Sequence, residues 1–351
     1  MTHIAKPKVR HPSLPTNTLG LTRRDYEGAM STLCAGCGHD SITAAVIQTA
    51  WNMSLEPHRV AKLSGIGCSS KTPTYFIGQA HGFNSVHGRM PAIATGAQAA
   101  RPDLTYIGVS GDGDSLAIGL GQLCHAIRRN VDMLYILENN GVYGLTKGQF
   151  SASADIGTKA KRGQVNQQPP IDPVLLALSL GATFVARGFS GDKAQLVPML
   201  EAGIRHRGFA FVDVVSPCVA FNDHEGSTKS YRYTRDHLEA AVEADLVLPM
   251  AEITTSYEPG TAREVHLPDG SSVRFRKVPV DYDPEDRDGV DRYVRARQAE
   301  GEIPTGILYV DADAPDHVAT LGTVHGDLVG VPFEDLCPGS ARLETLLEGF
   351  R

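Results

Sequence analysis

The feature that most constrains the fold is a pair of short apolar runs joined by a helical pattern. Residues 104–110 and 133–137 are short, apolar and rich in β-branched or aromatic side chains, which is typical of buried strands. Residues 115–129 place apolar side chains on one face at helical spacing, and Asp114 or Ser115 is expected to cap this helix. Strand, turn, helix and strand in this order predict a parallel βαβ unit.

Polar turns follow both predicted strands. Gly111-Asp112-Gly113 follows the first strand, and Asn139-Asn140 follows the second. Glycines allow a ligand to approach the backbone closely, a helix N-terminus offers free N–H groups to a diphosphate, and Mg²⁺ prefers oxygen ligands. A turn of this composition also occurs without any ligand, and that alternative stays open.

The two turns together resemble the signature by which thiamine diphosphate enzymes hold Mg²⁺ and the diphosphate. The resemblance implies that Asp112, Asn140 and the backbone carbonyl of Val142 bind the metal ion. It also implies cofactor contacts from Gly111, Asp112, Gly113, Asp114, Asn140 and Val142.

Four of the six cysteines lie in segments that are expected to be loops, namely Cys34, Cys37, Cys68 and Cys218. Because a parallel sheet brings the carboxyl ends of its strands together, these thiols can meet at one centre. Four thiolates suit a [4Fe–4S] cluster or a structural zinc ion, and a redox-active pair or isolated core thiols are further alternatives. Cys124, on the apolar helix face, and Cys337 are expected to be structural.

Residues 32–222 resemble the β subunits of the 2-oxoacid:ferredoxin oxidoreductases. The matching segments are Cys34-Ala-Gly-Cys-Gly38, Gly65-Ile-Gly-Cys68, His87-Gly-Arg89, Ala94-Thr-Gly96, Gly111-Asp-Gly113, Val142-Tyr-Gly-Leu-Thr-Lys-Gly-Gln149 and Ser216-Pro-Cys218. The family's common proline within the first motif is Ala35 here, at a position that carries no ligand atom. The resemblance implies that Cys34, Cys37, Cys68 and Cys218 ligate one [4Fe–4S] cluster.

This resemblance also implies a reaction and its partners. Thiamine diphosphate stabilises the electrons released when a 2-oxoacid loses CO₂, the cluster passes them singly to ferredoxin, and coenzyme A accepts the acyl group. The motifs are most similar to the 2-oxoglutarate branch, and pyruvate and branched-chain oxoacids stay open. The family places the aminopyrimidine half of the site on an α subunit, which predicts a heterodimer or heterotetramer.

Two other classes of protein remain as alternatives. A zinc-stabilised α/β binding protein would use the same four thiols without catalysis, although zinc has no redox chemistry to offer a thiamine enzyme. A non-redox thiamine decarboxylase would not need the thiols.

Several residues are candidates for contacts near the reacting carbon. Lys147, Lys71 and Arg89 are candidates for binding a substrate carboxylate, and each also has an ordinary role as a surface lysine or structural ion pair. Thr95 and Gly96 are expected in the cofactor wall. His39 is a candidate for tuning the cluster through a hydrogen bond, with a satisfied loop histidine as the alternative.

Composition and length complete the predicted organisation. The formal net charge of −7 argues against a nucleic-acid partner, and no apolar run approaches the roughly 18 residues of a membrane span. Together with a polar N-terminus, this predicts a cytoplasmic protein. We expect an α/β fold, with a doubly wound, mostly parallel sheet of the thiamine diphosphate-binding type and a mixed C-terminal extension.

The expected domains are an N-terminal arm over residues 1–22, the cofactor and cluster domain over 23–233, and the extension over 234–351. Within the extension, the sequence predicts a helix over 235–243, a hairpin over 264–277, an acidic loop over 281–291 and a helix over 291–301.

Overall fold

The structure is a computed structural model that describes residues 11–160, 163–239, 243–247, 262–266, 272–276, 282–322, 328–337 and 339–350. The strands are β1 (Val60–Ser64), β2 (His81–Asn84), β3 (Thr105–Gly111), β4 (Met133–Asn139), β5 (Val142–Tyr143), β6 (Gln149–Phe150), β7 (Phe184–Phe189), β8 (Phe209–Val215), β9 (Leu238–Glu239), β10 (Glu243–Val247), β11 (Ala262–His266), β12 (Ser272–Arg276), β13 (Ile303–Pro304) and β14 (Gly306–Val310). The α-helices are α1 (Gly38–Asn52), α2 (Met90–Ala100), α3 (Leu120–Arg129), α4 (Pro173–Leu180), α5 (Lys193–Arg205), α6 (Tyr231–His237), α7 (Arg287–Ala299), α8 (His317–Leu321), α9 (Phe333–Leu336) and α10 (Ser340–Glu348).

One sheet of seven strands organises the described part of the chain, in the order β14-β7-β8-β4-β3-β1-β2. Every neighbouring pair is parallel except β14 with β7. Helix α1 packs against α5, whereas α2, α3, α4 and α7 form a separate series of contacts. Strands β4 and β8 are buried along their whole length, as expected for strands covered on both faces. The predicted α/β class and mostly parallel sheet are therefore confirmed.

The segment between β3 and β4 differs in detail from the prediction. Gly113–Ile118 forms a π-helical turn, Gly119 interrupts it, and the regular helix starts at Leu120 rather than near residue 115. The residues that precede the turn and the helix are Asp112 and Gly119, and neither makes a side-chain cap. The predicted cap by Asp114 or Ser115 is therefore wrong. Such π-helical turns are frequent at functional sites.

The described part of the N-terminal arm, from residue 11 onward, packs on the main domain. The Asn17 amide donates hydrogen bonds to the Tyr26 hydroxyl at 2.9 Å and to the Trp51 carbonyl at 3.2 Å. In the described residues, no helix has both the length and the apolar character needed to cross a membrane.

The C-terminal region corrects several predicted boundaries. Helix α6 begins and ends earlier than the predicted helix over 235–243, and the short strand β9 follows it. Helix α7 begins at Arg287, within the predicted acidic loop over 281–291, and it ends at Ala299. The predicted helix over 291–301 therefore begins too late. Strands β11 and β12 pair antiparallel and confirm the hairpin, although its turn lies outside the described residues.

Two further features bear on the C-terminal extension. Strand β14 joins the edge of the main sheet, so this part of the extension completes the core, and the boundary at residue 234 stays a prediction. Cys337 is exposed after α9, and a packing role is not visible there, whereas Cys124 is half-buried on α3.

Candidate active site

The carboxyl ends of β1, β3 and β4 meet at a narrow cleft. The loop after β1 contributes residues 66–69, the turn after β3 contributes 111–114, and the segment after β4 contributes Asn140 and 142–146. His39, His87 and Ile118 complete its lining. This is the edge of the sheet where parallel α/β proteins bind ligands, and it holds the predicted diphosphate turn and the predicted Mg²⁺ ligands together.

Asp112 is buried and held in one orientation. Its Oδ2 atom accepts hydrogen bonds from the Gly141 N–H at 2.9 Å, the Ser151 hydroxyl at 2.5 Å and the Ser153 hydroxyl at 2.6 Å. No hydrogen bond from the described residues reaches Oδ1, which leaves this oxygen for another partner. Burial raises the pKa of Asp112, while these hydrogen bonds oppose the increase. A divalent cation at Oδ1 would stabilise the ionised carboxylate, so the site fits Mg²⁺.

Asn140 and Val142 lie beside Asp112 on the segment that enters the β5–β6 hairpin. The Val142 N–H donates to Asn140 Oδ1 at 3.0 Å, and the Asn222 amide donates to the Asn140 carbonyl at 2.8 Å. Between them, Gly141 has a positive φ of 75°, and a Cβ there would lie 2.7 Å from Asn222 Nδ2. The sharp turn at Gly141 places Asn140 and Val142 together in the lining of the cleft.

Two glycines in the turn after β3 allow side chains that line the cleft to pack closely against the backbone. A Cβ on Gly113 would overlap the ring of Tyr143, and the Tyr143 hydroxyl donates to the Gly113 carbonyl at 3.0 Å. Gly111 faces the side chain of Ser69 so closely that a Cβ would lie 2.7 Å from its oxygen. Both positions therefore need glycine, because the neighbouring side chains leave no room for a Cβ.

Asp114 has a different position from the one expected. Its carboxylate accepts hydrogen bonds from the Gly88 N–H at 2.8 Å and the Ser110 hydroxyl at 2.9 Å, and it packs against Gly65. It therefore joins three loops around the cleft that it lines, and its expected contact with the cofactor stays a prediction.

The four predicted cluster cysteines converge next to this cleft. A Cβ on Gly144 would lie 3.4 Å from Cys68 Sγ and 3.7 Å from Cys218 Sγ, so both sulfurs border one backbone position. Burial raises the pKa of the Cys37 thiol to about 12 and also raises that of Cys68 and Cys218. Neighbouring thiols raise these values further, with Cys218 acting on Cys37 and Cys34 acting on both Cys68 and Cys218.

The four thiols form a donor set that suits either a [4Fe–4S] cluster or a zinc ion. Within the described ranges, no three side chains of His, Cys, Asp or Glu are already arranged around a single ion site.

His39 connects the cysteine loops with the metal loop. Its Nδ1 atom lies 2.8 Å from the Ser216 hydroxyl and 3.4 Å from Glu138 Oε2, and its Nε2 atom lies 3.4 Å from the amide nitrogen of Asn140. Burial lowers the pKa of His39 to about 4 and raises that of Glu138 well above its ordinary value. His39 is therefore a neutral bridge between the loop that ends in Cys218 and the Asn140 side chain.

Other candidate residues lie outside the cleft. The side chain of Lys147 is exposed. Its backbone has a positive φ of 78°, and its N–H donates to the Gly144 carbonyl. The exposed Arg89 donates to Gln122 Oε1 at 3.2 Å. Lys71 is half-buried beside Cys68 and lowers the pKa of that thiol, against the larger effect of burial.

Helix α2 carries the two residues expected in the cofactor wall. The Thr95 hydroxyl donates to the Pro91 carbonyl of the same helix at 2.8 Å, and Gly96 is exposed. Neither residue lines the cleft.

Sequence reasoning missed four residues with direct contacts here: Ser151, Ser153, Tyr143 and Glu138. Ser151 and Ser153 lie just beyond the segment that ends at Gln149, and their spacing of two residues was the available signal.

Comparisons with known proteins show what this chain resembles. The family described as thiamine pyrophosphate enzyme, C-terminal TPP binding domain matches residues 65–214, which bears out the predicted type of sheet. The chain is 44% identical over 199 residues to the 2-oxoacid:ferredoxin oxidoreductase subunit beta of Saccharolobus solfataricus, covering 56% of this chain and 65% of that protein. It is 37% identical over 189 residues to the 2-oxoglutarate synthase subunit KorB of Methanocaldococcus jannaschii, covering 54% and 69%.

Two further relatives extend the comparison. Identity to the 2-oxoglutarate oxidoreductase subunit KorB of Mycobacterium tuberculosis is 43% over 191 residues, covering 54% of this chain and 51% of that subunit. The match thus spans less than two thirds of the Saccharolobus and Mycobacterium subunits. A solved 2-oxoglutarate:ferredoxin oxidoreductase from Magnetococcus marinus, with 2-oxoglutarate, coenzyme A and succinyl-CoA bound, has a TM-score of 0.71 and 30% identity, covering 92% of this chain and 98% of that chain.

Proposed function

The chain belongs to the β subunits of the 2-oxoacid:ferredoxin oxidoreductases, and on that premise we propose that it carries the diphosphate-binding half and the [4Fe–4S] cluster of such an enzyme. The reaction is the oxidative decarboxylation of a 2-oxoacid with coenzyme A to an acyl-CoA and CO₂, with ferredoxin as the electron acceptor. The observation that supports this most is the contact at Gly144, where two cluster cysteines border the same loop that lines the cofactor cleft.

Residues of this chain would hold each group in place. Asp112, Asn140 and the Val142 carbonyl would bind Mg²⁺, and the backbone of residues 111–114 would hold the diphosphate. Cys34, Cys37, Cys68 and Cys218 would ligate the cluster. Bound thiamine diphosphate supplies an electron sink for the decarboxylation, and an iron–sulfur cluster accepts electrons singly. The Gly144 loop would keep these two groups adjacent.

The other half of the cofactor site would come from an α subunit. The cleft mouth supports this, because Ile118 and Leu145 line it and yet remain 44% and 48% exposed, and nearby Val86 is 69% exposed. Apolar side chains at the rim of a polar site are typical of a surface that a partner covers. We therefore expect a heterodimer or heterotetramer, and no activity from this chain alone.

Among substrates, we favour 2-oxoglutarate and the product succinyl-CoA. The support comes from the names of the relatives and from the ligands of the Magnetococcus structure. Lys147, Lys71 and Arg89 stay candidates for the substrate carboxylates, and Thr95 and Gly96 stay candidates for the cofactor wall. In the described chain these residues lie at the surface or on α2, so such roles would require the assembled enzyme.

The test is an anaerobic preparation of this chain with its α subunit. We expect iron and acid-labile sulfide, a broad visible absorbance, and 2-oxoglutarate-dependent reduction of a low-potential acceptor that needs coenzyme A. Cys218→Ser should lose iron, whereas Cys124→Ser, a matched change of a half-buried cysteine on α3, should retain it. Zinc without sulfide would refute the cluster, and turnover by this chain alone would refute the shared site. A preference for pyruvate in a panel of oxoacids would refute only the substrate.

A further inference from the structure

The hairpin β5–β6 encloses the Asp112 carboxylate from two sides. Val142 pairs with Phe150, so the strand that provides a predicted metal carbonyl lies beside the strand that leads into Ser151 and Ser153. The Ser151 N–H donates to the Gly141 carbonyl at 3.2 Å and fixes the end of the hairpin. The position of the serines is thus tied to the position of the metal loop.

Both serine side chains are directed to the same carboxylate oxygen. Their hydroxyls lie 2.5 Å and 2.6 Å from Asp112 Oδ2, and the Gly141 N–H also reaches that atom. Ser151 is 7% exposed and Ser153 is 1% exposed, so water does not compete effectively for these bonds. Since bonds to an ionised carboxylate are about twice as strong as neutral ones, this arrangement strongly favours one rotation of the carboxyl group.

On these contacts we propose that Ser151 and Ser153 are positioning residues that reserve Asp112 Oδ1 for the metal ion. The inference rests on the proposed function, because it takes Asp112 as a ligand of Mg²⁺. Three donors occupy Oδ2, so the carboxylate binds the ion through one oxygen, as suits the octahedral geometry that Mg²⁺ demands. Without the hydroxyls, the buried carboxylate can rotate or bind through both oxygens.

A second set of contacts supports the same role for Ser153. Its oxygen also lies 2.8 Å from Asn139 Oδ1, so its single proton is shared between Asn139 Oδ1 and Asp112 Oδ2. The Asn139 amide donates to Asp213 Oδ1 at 3.0 Å. Asp213 in turn accepts from Arg187 Nε at 2.8 Å. These buried contacts connect Ser153 to the centre of the sheet, so its hydroxyl has a fixed location and not only a fixed partner.

The experiment measures metal binding in the assembled α/β protein. Mn²⁺, which prefers the same oxygen ligands as Mg²⁺, is titrated in the presence of thiamine diphosphate, and free Mn²⁺ is followed by its electron paramagnetic resonance signal. We expect Ser151→Ala/Ser153→Ala to raise the dissociation constant of Mn²⁺ by about 10–100-fold, the usual effect of losing groups that orient a metal ligand. Ser179→Ala should bind as the wild type does, because this exposed hydroxyl bonds only to the Leu175 carbonyl of its own helix.

The controls separate this inference from the proposed function. Ser151→Thr keeps a hydroxyl and should bind at least tenfold more tightly than Ser151→Ala, by about the energy of one charge-assisted hydrogen bond. Unchanged affinity in the double alanine variant, or equal losses in Ser151→Thr and Ser151→Ala, would overturn the positioning role. Failure of the wild-type complex to bind Mn²⁺ with thiamine diphosphate would instead overturn the proposed function.

Discussion

Replacing Arg187 by methionine gives a sharp test of the electrostatics behind the metal loop. The Arg187 side chain is 5% exposed, and its Nε donates to Asp213 Oδ2 at 2.8 Å while its Nη2 donates to Asp172 Oδ2 at 2.7 Å. The two carboxylates differ in environment, since the Asp213 side chain is 1% exposed and that of Asp172 is 24% exposed. Burial raises the pKa of Asp213 despite the arginine.

The expected cost comes mainly from Asp213. Breaking a buried pair by removing one partner costs about 3–5 kcal/mol of unfolding free energy, because the remaining charge is uncompensated. The partly solvated pair with Asp172 adds about 1 kcal/mol or less. The double variant Arg187→Met/Asp213→Asn also removes the unpaired negative charge of Asp213. It should therefore recover most of the lost unfolding free energy, since an asparagine at position 213 can still accept from the Asn139 amide.

Equilibrium unfolding in urea can measure both variants. The chain has a single tryptophan, Trp51, whose indole donates to the Leu21 carbonyl and reports on packing of the N-terminal part against α1. A cost below about 1 kcal/mol for Arg187→Met would show that the pair is effectively solvated. A double variant no more stable than the single one would show that packing, and not the unpaired charge, is responsible.

Three further predictions follow from single side chains. Burial lowers the pKa of Lys62 to about 8 from 10.5. Between these pH values the unfolded chain therefore binds more protons than the folded chain, and the free energy of unfolding rises with pH, by about 3 kcal/mol at most. Lys62→Met should lack this rise when urea unfolding is compared at pH 8 and pH 10.5. The added methyl group of Gly113→Ala would overlap the Tyr143 ring, and the variant should weaken thiamine diphosphate binding about tenfold or more in calorimetry. Gly121→Ala, whose methyl group would have no atom within 4 Å, should leave this binding unchanged. Equal binding by both variants would refute the importance of the close packing between Gly113 and Tyr143. Gly144→Val should lower the iron content of the purified complex, because the Cβ of the new valine would already contact the sulfurs of Cys68 and Cys218. Full iron content in this variant would place the cluster elsewhere.

Much of the fold could be predicted because apolar runs mark the buried strands. The strands predicted over residues 104–110 and 133–137 correspond to β3 and β4. The start of the helix between β3 and β4 could not be predicted in the same way. The π-helical turn at Gly113–Ile118 depends on contacts between loops, and hydrophobic periodicity carries no information about such contacts.

Some residues of the candidate site could be proposed from the sequence, and others could not. Asp112, Asn140 and the four cysteines could be proposed from the sequence, because metal and diphosphate binding need particular donor atoms at particular places in a βαβ unit. Ser151 and Ser153 were missed, because a serine donates to whatever group lies opposite it and its neighbours along the chain do not specify that group. The expected cap by Asp114 was wrong for the same reason, because its carboxylate accepts from the Gly88 N–H and the Ser110 hydroxyl instead.

The sequence by itself predicted the class of cofactor site and the candidate donor residues, because these depend on residue type and on order along the chain. The tertiary structure alone decided that Gly144 lies against Cys68 and Cys218, that His39 bridges two loops, and that one oxygen of Asp112 is already occupied. The reason is physical: the direction of a buried side chain is set by the partners that packing brings to it from distant parts of the chain.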